Sequence, residues 1–543
     1  MIKNTIQKIF QKNQLLFQVF LLIILNYLST RYLYRSLPSE ALYTQDSIFM
    51  NLYQYMSLSL TFFMLAPIFL YKLRWNELIS KNYLILKYFI FFIFSIYAWG
   101  VITLNYNLYF DNAYNLDRGI LLLLFFLAFR YPVMLIYFVI FSLLFYNQIN
   151  YPAFDCFFPN DYVNVKPLLE VLILFSIFVF IKKIYTKFSI LSFLIVVICF
   201  HAANYFIPGL GKIDLSEHYI DWIWVNNLGN ILIAKYSQGW LSELVSIEKI
   251  QIIVGWMSTF TIPMQFFAFT IQAIVLFVLI KKRFAIILFA SFELLHLGIF
   301  MASGIFFWRW ILLNLAIVYV ISKLHNSDIE KVFNYKVMLL SIPFIFLGNG
   351  VFHAYKLAWY DSPLNNFYQI YSITEDGEKN KIDLNLFAPY ERILYINSFN
   401  CFIHKPLKAR WDTENMTIMK KLSSISTQTD PSTIKQKIYN FEQTYGVNEF
   451  DKRKQEKVTN FLKTFFKNLN NYQNKQTLWT TIAPLRHKYL LLNWDAPLHQ
   501  KSKIKEIEIV FYKNFYDHKH NKLISLEENS ILKIPIETPI AVK

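Results

Sequence analysis

Four ionisable side chains lie in or beside long apolar segments and are the residues best suited to chemistry. His201 falls within an apolar run, and Lys212 follows the same run after a proline and two glycines. Glu293 and His296 stand three residues apart in a later apolar run. An amine shielded from water loses its charge more easily and can accept a proton, and a carboxyl beside an imidazole can pass one on. These residues predict proton transfer in apolar surroundings.

Each candidate also has a purely structural explanation. Lys212 could lay its stem along apolar side chains so that its amine reaches lipid headgroups. Glu293 and His296 share one side of a helix and could tie two helices together by a hydrogen bond. Arg309 lies between two tryptophans, which is typical of a membrane interface and less so of an anion site. The residues alone leave both explanations open.

Composition indicates which elements must hold these side chains. The chain has 543 residues, of which 55% are hydrophobic and 16% are charged, against roughly 25% charged residues in soluble domains. This excludes a wholly soluble protein, and the many aromatic residues exclude a disordered one. Three cysteines exclude a disulfide scaffold, and the sequence has no metal-ligand spacing, so no metal site is predicted. Multiple membrane helices are the remaining class.

Ten apolar windows predict the membrane part, and most approach the roughly 20 residues that cross a hydrocarbon core. The window 119–147 contains Arg130 and Pro132 near its middle, so we predict a re-entrant hairpin there and about nine spans elsewhere. The alternative is one long, tilted helix. The helix that carries His201 is predicted to end at Pro208. The windows are 14–33, 50–71, 86–105, 119–147, 166–181, 188–208, 251–280, 284–306, 307–322 and 337–356.

Basic residues set the predicted orientation. The net charge of +17 comes largely from short clusters between the apolar windows, which a membrane protein places on its cytoplasmic side. We therefore expect membrane lipid, and no nucleic acid, as a partner. With a hairpin at 119–147, all the clusters face the cytoplasm and the C-terminal part lies outside. The clusters fall at 3–12, 72–87, 182–187, 281–283 and 323–336.

The composition changes after residue 358. Residues 1–358 are predicted to form a multi-helix membrane domain, and residues 359–543 an extracytoplasmic domain without any run long enough to span. The predicted fold class is therefore mainly α: a polytopic helical membrane bundle with a small extracytoplasmic α+β C-terminal domain. Cys156 and Cys401 both fall on the predicted outer side, where an oxidising compartment would allow a disulfide.

Turn and periodicity signals outline the C-terminal domain. Asp376-Gly377 lies between two runs of alternating polarity and predicts a β-hairpin. Pro535 confines the last predicted strand to a sheet edge. The predicted strands are 369–374, 382–387, 507–512 and 531–536, and the predicted helices are 431–445 and 450–469.

A short segment around Lys212 resembles a known family. The pattern Tyr205-Phe206-x-x-Gly209-x-x-Lys212-Ile213, followed by a tryptophan-rich stretch, resembles a segment of vitamin K-dependent gamma-carboxylase. It equally resembles the horizontally transferred transmembrane domain (HTTM) family, whose domain the carboxylase shares with many bacterial membrane proteins. The resemblance covers about residues 1–360.

A second stretch carries the same resemblance. Glu293-Leu-Leu-His296, then Gly304-Ile-Phe-Phe-Trp308-Arg-Trp310, is similar to the HTTM pattern of a histidine-bearing helix followed by a membrane re-entry. The resemblance implies a helical N-terminal membrane domain and an extracytoplasmic C-terminal domain. It also implies an integral protein of a bacterial inner (cytoplasmic) membrane.

Carried over by position, Lys212 matches the lysine that the carboxylase family uses as the base in vitamin K epoxidation. A quinone or hydroquinone cofactor is implied by this resemblance alone. The chain departs from the family in having no histidine before His201, Gly211 where a second lysine is common, and Pro208 where a small residue is usual. These departures argue against full vitamin K-dependent carboxylation.

Two functional hypotheses follow. In the first, the chain is an HTTM-like membrane enzyme that acts on a lipid-soluble or peptide substrate at the outer face, with Lys212 as base and His201, Glu293 and His296 as proton partners. In the second, it is a non-enzymatic membrane scaffold, transport or maturation factor whose C-terminal domain binds a peptide or protein partner. Side chains that converge in one buried cluster would favour the first, and side chains directed toward lipid headgroups the second.

Overall fold

The chain is mainly helical, with a small sheet near its C terminus. The computed structural model describes residues 13–38, 46–104, 112–149, 160–242, 244–382, 387, 411–427, 430–446, 451–472, 479, 482 and 502–537. Cys156 and Cys401, the predicted disulfide partners, lie outside these ranges. Cys199 is a buried free thiol.

The N-terminal helices are apolar and many of their large side chains are exposed. They are α1 Gln14–Ser36, α2 Ile48–Asn51, α3 Leu58–Leu65, α4 Trp75–Leu78, α5 Leu84–Ile102, α6 Asn115–Ala128, α7 Pro132–Ile149 and α8 Asn160–Ile184. Short 3-10 turns follow α2 and α3 and precede α5, at Leu52–Tyr55, Ala66–Leu70 and Lys81–Tyr83.

A second set of helices completes the helical part of the molecule. They are α9 Ile190–Asp214, α10 Asp221–Val225, α11 Leu228–Ser237, α12 Ile247–Thr259, α13 Thr261–Ile274, α14 Lys282–Ser303, α15 Trp308–Lys323, α16 Asn326–Val332, α17 Tyr335–Phe346 and α18 Gly348–Phe352. A 3-10 turn, Val275–Phe277, extends α13.

Fewer helices than the predicted nine are long and apolar enough to cross a membrane. Within the described residues there are four: α1, the segment Lys81–Ile102, α9 and α14. A fifth is formed if α12 and α13, bent by 61° at their junction, make one span. Several predicted windows are divided by breaks. The window 337–356, for example, is split at Leu347 between α17 and α18.

The window 119–147 contains two helices, so the alternative of one long helix is wrong. Helix α6 ends at Ala128, and α7 begins at Pro132 and packs against α6. Proline fits the first turn of a helix, where its missing N–H would have had no partner. The Trp75 indole donates to the carbonyl oxygen of Ala128 at 2.9 Å and satisfies one of the free acceptors at the end of α6.

Helix α9 is the centre of the helical part. Within its most apolar window 94% of the residues are buried, against 28% in α14. The prediction that this helix ends at Pro208 is wrong, because it continues to Asp214. Proline removes one backbone donor, and close packing at the neighbouring glycines offsets the loss. A Cβ atom on Gly209 would lie 3.0 Å from the Cβ of Gln272.

The C-terminal part is built on a four-stranded antiparallel sheet in the order β3-β2-β5-β6. Its hydrophobic core lies between the sheet and the helices that follow β4, and includes Ile509 and Phe466. A separate two-stranded sheet pairs β1 with β4. The elements are β1 Tyr360–Asp361, β2 Leu364–Thr374, β3 Lys379–Lys381, β4 Asp412–Thr413, α19 Met416–Ile425, α20 Pro431–Tyr445, α21 Lys452–Tyr472, β5 Ile504–Asp517 and β6 Lys522–Pro535.

Local sequence signals in this part are confirmed. Strands β2 and β3 pair antiparallel around the turn at Asp376 and Gly377, and the positive φ of 89° at Gly377 suits glycine. The second strand is Lys379–Lys381 rather than the predicted 382–387, most of which lies outside the described residues. Helix α20 begins at Pro431, and the Asp430 carboxylate accepts from the Thr433 N–H at 2.9 Å as its cap. Pro535 ends β6 at the sheet edge, where a missing backbone donor costs least.

The packing of α18 against α9 provides a test of this arrangement. A Cβ atom on Gly348 would lie 2.6 Å from the Cβ of Ala203 in α9, whereas one on Gly350 would meet nothing within 4 Å. We expect Gly348→Ala to destabilise the protein by about 1–3 kcal/mol, because overpacking forces the helices apart. The matched Gly350→Ala should be neutral or stabilising, since alanine favours the helix by up to about 1 kcal/mol. Thermal unfolding in detergent measures both, and equal melting temperatures would contradict the packing.

Candidate functional site

One face of α9 carries three of the polar residues quoted from its sequence. Tyr205 lies four residues after His201, and Lys212 lies eleven residues after it. At about 100° per residue, the three side chains fall within about 40° of one another around the helix axis. His201 and Tyr205 are buried, and Lys212 is 8% exposed. The face is therefore polar but enclosed by neighbouring helices.

Asn314 of α15 joins His201 to Tyr205. Its Oδ1 is hydrogen-bonded to His201 Nε2, and its Nδ2 donates to the Tyr205 hydroxyl at 2.8 Å. Aromatic rings hold the two side chains in place. The Tyr205 ring stacks on Phe292 with centroids 3.6 Å apart, and the His201 ring stacks on Trp310 at 5.7 Å.

Helix α14 extends the chain of polar contacts. The Tyr205 hydroxyl lies 3.4 Å from His296 Nε2, and His296 Nδ1 lies 4.0 Å from Glu293 Oε2. The structure therefore brings together His201, Glu293 and His296, three of the predicted site residues. We call the series His201–Asn314–Tyr205–His296–Glu293 the polar chain.

The polar chain has a direction that depends on Glu293. An ionised carboxylate only accepts, which favours an N–H on His296 Nδ1 facing it and leaves Nε2 to accept from Tyr205. Tyr205 then accepts from Asn314, whose Oδ1 accepts from His201. Every donor thus points toward Glu293. When Glu293 is protonated its carboxyl can donate to His296 Nδ1, and His296 Nε2 can then donate to Tyr205. The reversal stops there, because the Asn314 amide nitrogen that faces Tyr205 can only donate.

The two ends of the polar chain have open positions. His201 Nδ1 and Glu293 Oε1 are buried atoms that make no hydrogen bond within the described residues. The same is true of His296 Nδ1, whose 4.0 Å separation from Glu293 is too long for a hydrogen bond. Buried polar atoms are nearly always paired, so such exceptions are typical of functional sites or of sites that take up a small ligand or water.

Glu293 marks the point where the polar chain approaches the molecular surface. Its side chain is 23% exposed, whereas that of His296 is 7% exposed. The exposed stripe of α14 around it consists of large apolar side chains, between 54% and 63% exposed: Ile287, Leu294, Leu297 and Met301. The carboxyl therefore opens beside an apolar surface rather than a polar one.

Lys212 is separate from the polar chain. It lies seven residues after Tyr205, about 10 Å along the helix. Its Nζ donates to Gln272 Oε1 at 2.6 Å and lies 4.4 Å from the centroid of the Trp222 ring. The explanation that Lys212 reaches out to lipid headgroups is wrong, because the side chain is buried against α10 and α13. Arg309 is likewise buried, against Gly100 of α5.

Sequence reasoning missed two parts of this region. Asn314 is the only side-chain amide in α15, but its partners are more than 100 residues away, so its role could not be deduced. Lys166 and Glu170 are also buried, one turn apart in α8, and Lys166 donates to the carbonyl oxygen of His353. Two charged residues four positions apart in an apolar window, Lys166 and Glu170, could have been recognised from the sequence as a buried pair.

The described residues contain no group of three or more histidine, cysteine, aspartate or glutamate side chains that could hold a metal ion. Comparison with models of protein families, with curated proteins and with solved structures finds no match to this chain. The resemblance to the HTTM family therefore stays a prediction that depends on the residues quoted for it.

Beyond Lys212, a polar junction joins the helical part to the sheet. The carboxylate of Asp361 in β1 accepts from Asn226 at 2.9 Å and from Trp359 at 3.0 Å. Burial raises the pKa of Asp361 to about 7, although these two hydrogen bonds lower it. Asn230 of α11 donates to the backbone oxygen of Asp361 at 2.7 Å and accepts from His518 at the same distance.

His518 makes the junction sensitive to acid. Burial lowers the pKa of His518 to about 4, below its ordinary value of 6.5. The folded protein therefore binds fewer protons than the unfolded chain between these values. His518 contributes its full stability above about pH 6.5 and loses it as the pH falls toward 4, by up to about 3 kcal/mol.

We expect the stability of His518→Gln, whose amide can still donate to Asn230, to fall less, or rise more, between pH 6.5 and 4.5 than that of the wild type. Asp361, whose raised pKa favours the folded state in the same range, contributes equally to both proteins. The matched variant is His325→Gln, because His325 is exposed and its side chain makes no capping hydrogen bond to α16. It should keep the wild-type pH dependence. Melting temperatures across this pH range measure the effect, and a wild-type slope in His518→Gln would show that His518 is not responsible.

Proposed function

We propose that this chain is an integral membrane enzyme that transfers a proton to or from a lipid-soluble substrate. The polar chain is the observation that carries the proposal. It begins at buried His201 and ends at Glu293, beside the exposed apolar stripe of α14. A substrate dissolved in lipid would meet the Glu293 carboxyl without passing through water.

The residues of the polar chain have different proposed roles. Glu293 exchanges the proton with the substrate, and His296 holds it until it is returned, since both groups can gain and lose protons. The Tyr205 hydroxyl orients the His296 ring for this step. Asn314 holds Tyr205 in place through a 2.8 Å hydrogen bond, because a neutral amide is a poor carrier of protons. Tyr205 and His296 lie within reach of each other without further rearrangement.

Lys212 is the proposed base of a second step near the end of α9. This role comes from the resemblance to the carboxylase family, as does a reduced quinone as substrate or cofactor. The buried position of Lys212 supports it, because a solvated lysine would not be held for chemistry. Its hydrogen bond to Gln272 uses one of three available donors.

The non-enzymatic hypothesis is supported by a different feature of the same contacts. The polar chain connects α9, α14 and α15, so it also ties three helices together. A scaffold or transport factor would need only that structural role. The two hypotheses differ in what happens when the Tyr205 hydroxyl is removed but its ring is kept.

We expect Tyr205→Phe to keep the stacking on Phe292 and to slow the reaction at least about 100-fold, because proton transfer by a positioned side chain contributes roughly 10²–10⁴-fold to rates. The protein in lipid nanodiscs is given a reduced naphthoquinone together with a bacterial lipid extract, and the conversion of each is followed by mass spectrometry. Tyr319→Phe is the matched control, since Tyr319 of α15 is 56% exposed.

The same preparation tests access from lipid. An apolar carbodiimide should modify Glu293 and stop the reaction, while Glu170, only 4% exposed, should stay unmodified. Absence of conversion by the wild type, an unchanged rate in Tyr205→Phe, or modification of Glu293 only by a water-soluble carbodiimide would each count against the proposal.

We also propose that the chain lies in a bacterial inner membrane with residues 359–543 outside the cytoplasm. Exposed apolar side chains support the membrane location, including a stripe on α3 and the turn after it: Leu58, Phe62, Leu65 and Phe69. The basic clusters support the orientation. Reporter fusions after Lys187 and after Lys543 should fall on opposite sides, and the same side for both would contradict it.

A further inference from the structure

A cavity of about 350 Å³ lies on the face of the four-stranded sheet opposite its helices. This volume is at the lower end of the roughly 300–1,000 Å³ typical of small-molecule sites. The lining comes from all four strands, together with Ser237 at the end of α11. The cavity therefore lies where the sheet meets the helical part. None of its lining residues belongs to the polar chain.

Aromatic side chains form a rigid wall of this cavity. The rings of Phe367 and Tyr512 face each other across β2 and β5, with centroids 5.1 Å apart and planes at 13°. The Tyr512 hydroxyl donates to Glu528 at 3.1 Å and is 2.8 Å from the hydroxyl of Tyr371. Each tyrosine is thus held at both its ring and its hydroxyl.

Two amides supply the polar part of the lining. Asn514 is 9% exposed, yet its side chain makes no hydrogen bond within the described residues. Gln369 is 4% exposed, and its Nε2 donates to two backbone oxygens at 3.3 Å while its Oε1 has no such partner in the same part of the chain. Both amides open onto the cavity, so their unpaired atoms can bond a ligand that occupies it.

Charge narrows the class of ligand. The lining contains one lysine, Lys381, and one glutamate, Glu528, so it has no formal net charge. An anion or a cation would find no excess of opposite charge, and an oily molecule would leave Asn514 unpaired. A ring that combines an apolar face with hydroxyl groups matches both the aromatic wall and the amides.

We propose that this cavity binds a neutral sugar. The sugar ring lies beside the stacked pair Phe367 and Tyr512, and its hydroxyl groups bond to the Asn514 amide and to Gln369 Oε1. The Glu528 carboxylate accepts from a further hydroxyl. The site is independent of the proposed proton transfer, so either can fail without the other.

The test is saturation-transfer NMR on the full-length protein in a detergent that has no sugar headgroup. The probes are glucose, galactose, N-acetylglucosamine and their disaccharides maltose, lactose and chitobiose. We expect transfer to at least one of them, and at least tenfold weaker binding in Asn514→Leu, which removes the amide at nearly constant volume.

Asn529→Leu is the matched control, because Asn529 is an exposed residue of β6 outside the cavity. It should bind like the wild type. If Asn514→Leu does not fold, as judged by circular dichroism, Gln369→Leu takes its place with the same expected loss. Absence of transfer to every sugar, transfer that survives both cavity variants, or transfer to trialanine in place of a sugar would overturn the proposal.

Discussion

The enclosure of α9 by other helices is the constraint on which the rest of the structure depends. A helix buried on nearly every side has no lipid or water to satisfy a polar side chain, so each polar residue on it must find a partner in a neighbouring helix. His201 is hydrogen-bonded to Asn314, Tyr205 contacts His296, and Lys212 donates to Gln272. Glycines at the contacts allow this closeness, because a side chain on Gly209 would collide with Gln272.

Because these polar residues are paired with one another, replacing only one of them is expected to lower the stability of the protein. Removing one member of a buried hydrogen-bonded series leaves its neighbour unpaired, at a cost of roughly 1–3 kcal/mol for each neutral group. A series that served only to join helices could be replaced by apolar residues at little loss. Three atoms of the series, His201 Nδ1, His296 Nδ1 and Glu293 Oε1, have no partner within the described residues, so pairing with water or a ligand would offset the cost of their burial.

Much of the architecture could be predicted from local signals. The turn at Asp376 and Gly377, the helix start at Pro431 and the break before Pro132 depend on residues close in sequence, and all three are confirmed. The continuation of α9 past Pro208 could not be predicted, since it depends on packing against distant Gln272. Four described helices, or five with the bent pair, are long and apolar enough to span, so about nine spans stay a prediction. Apolar composition alone does not show where a helix breaks.

The candidate site was predictable in its residue types but not in its connections. Charged and imidazole groups in apolar windows correctly pointed to His201, Glu293 and His296 as residues with buried or half-buried side chains. Only the fold shows that Asn314 and Tyr205 link them, and that Lys212 belongs to a different place. Near Lys212 a second series of contacts begins. Lys212 contacts the Trp222 ring, and the Trp222 indole donates to the backbone oxygen of Trp359 at 2.8 Å.

The contacts beyond Lys212 couple the two parts of the molecule. Trp359 donates to Asp361, and Asp361 is joined through Asn230 to His518 in the turn between β5 and β6. The end of the central helix and the sheet are thus connected by buried hydrogen bonds rather than by a flexible linker. A displacement of Lys212 would disturb the Trp222 ring that it contacts, and with it the hydrogen bond from that indole to Trp359 at the start of the sheet region.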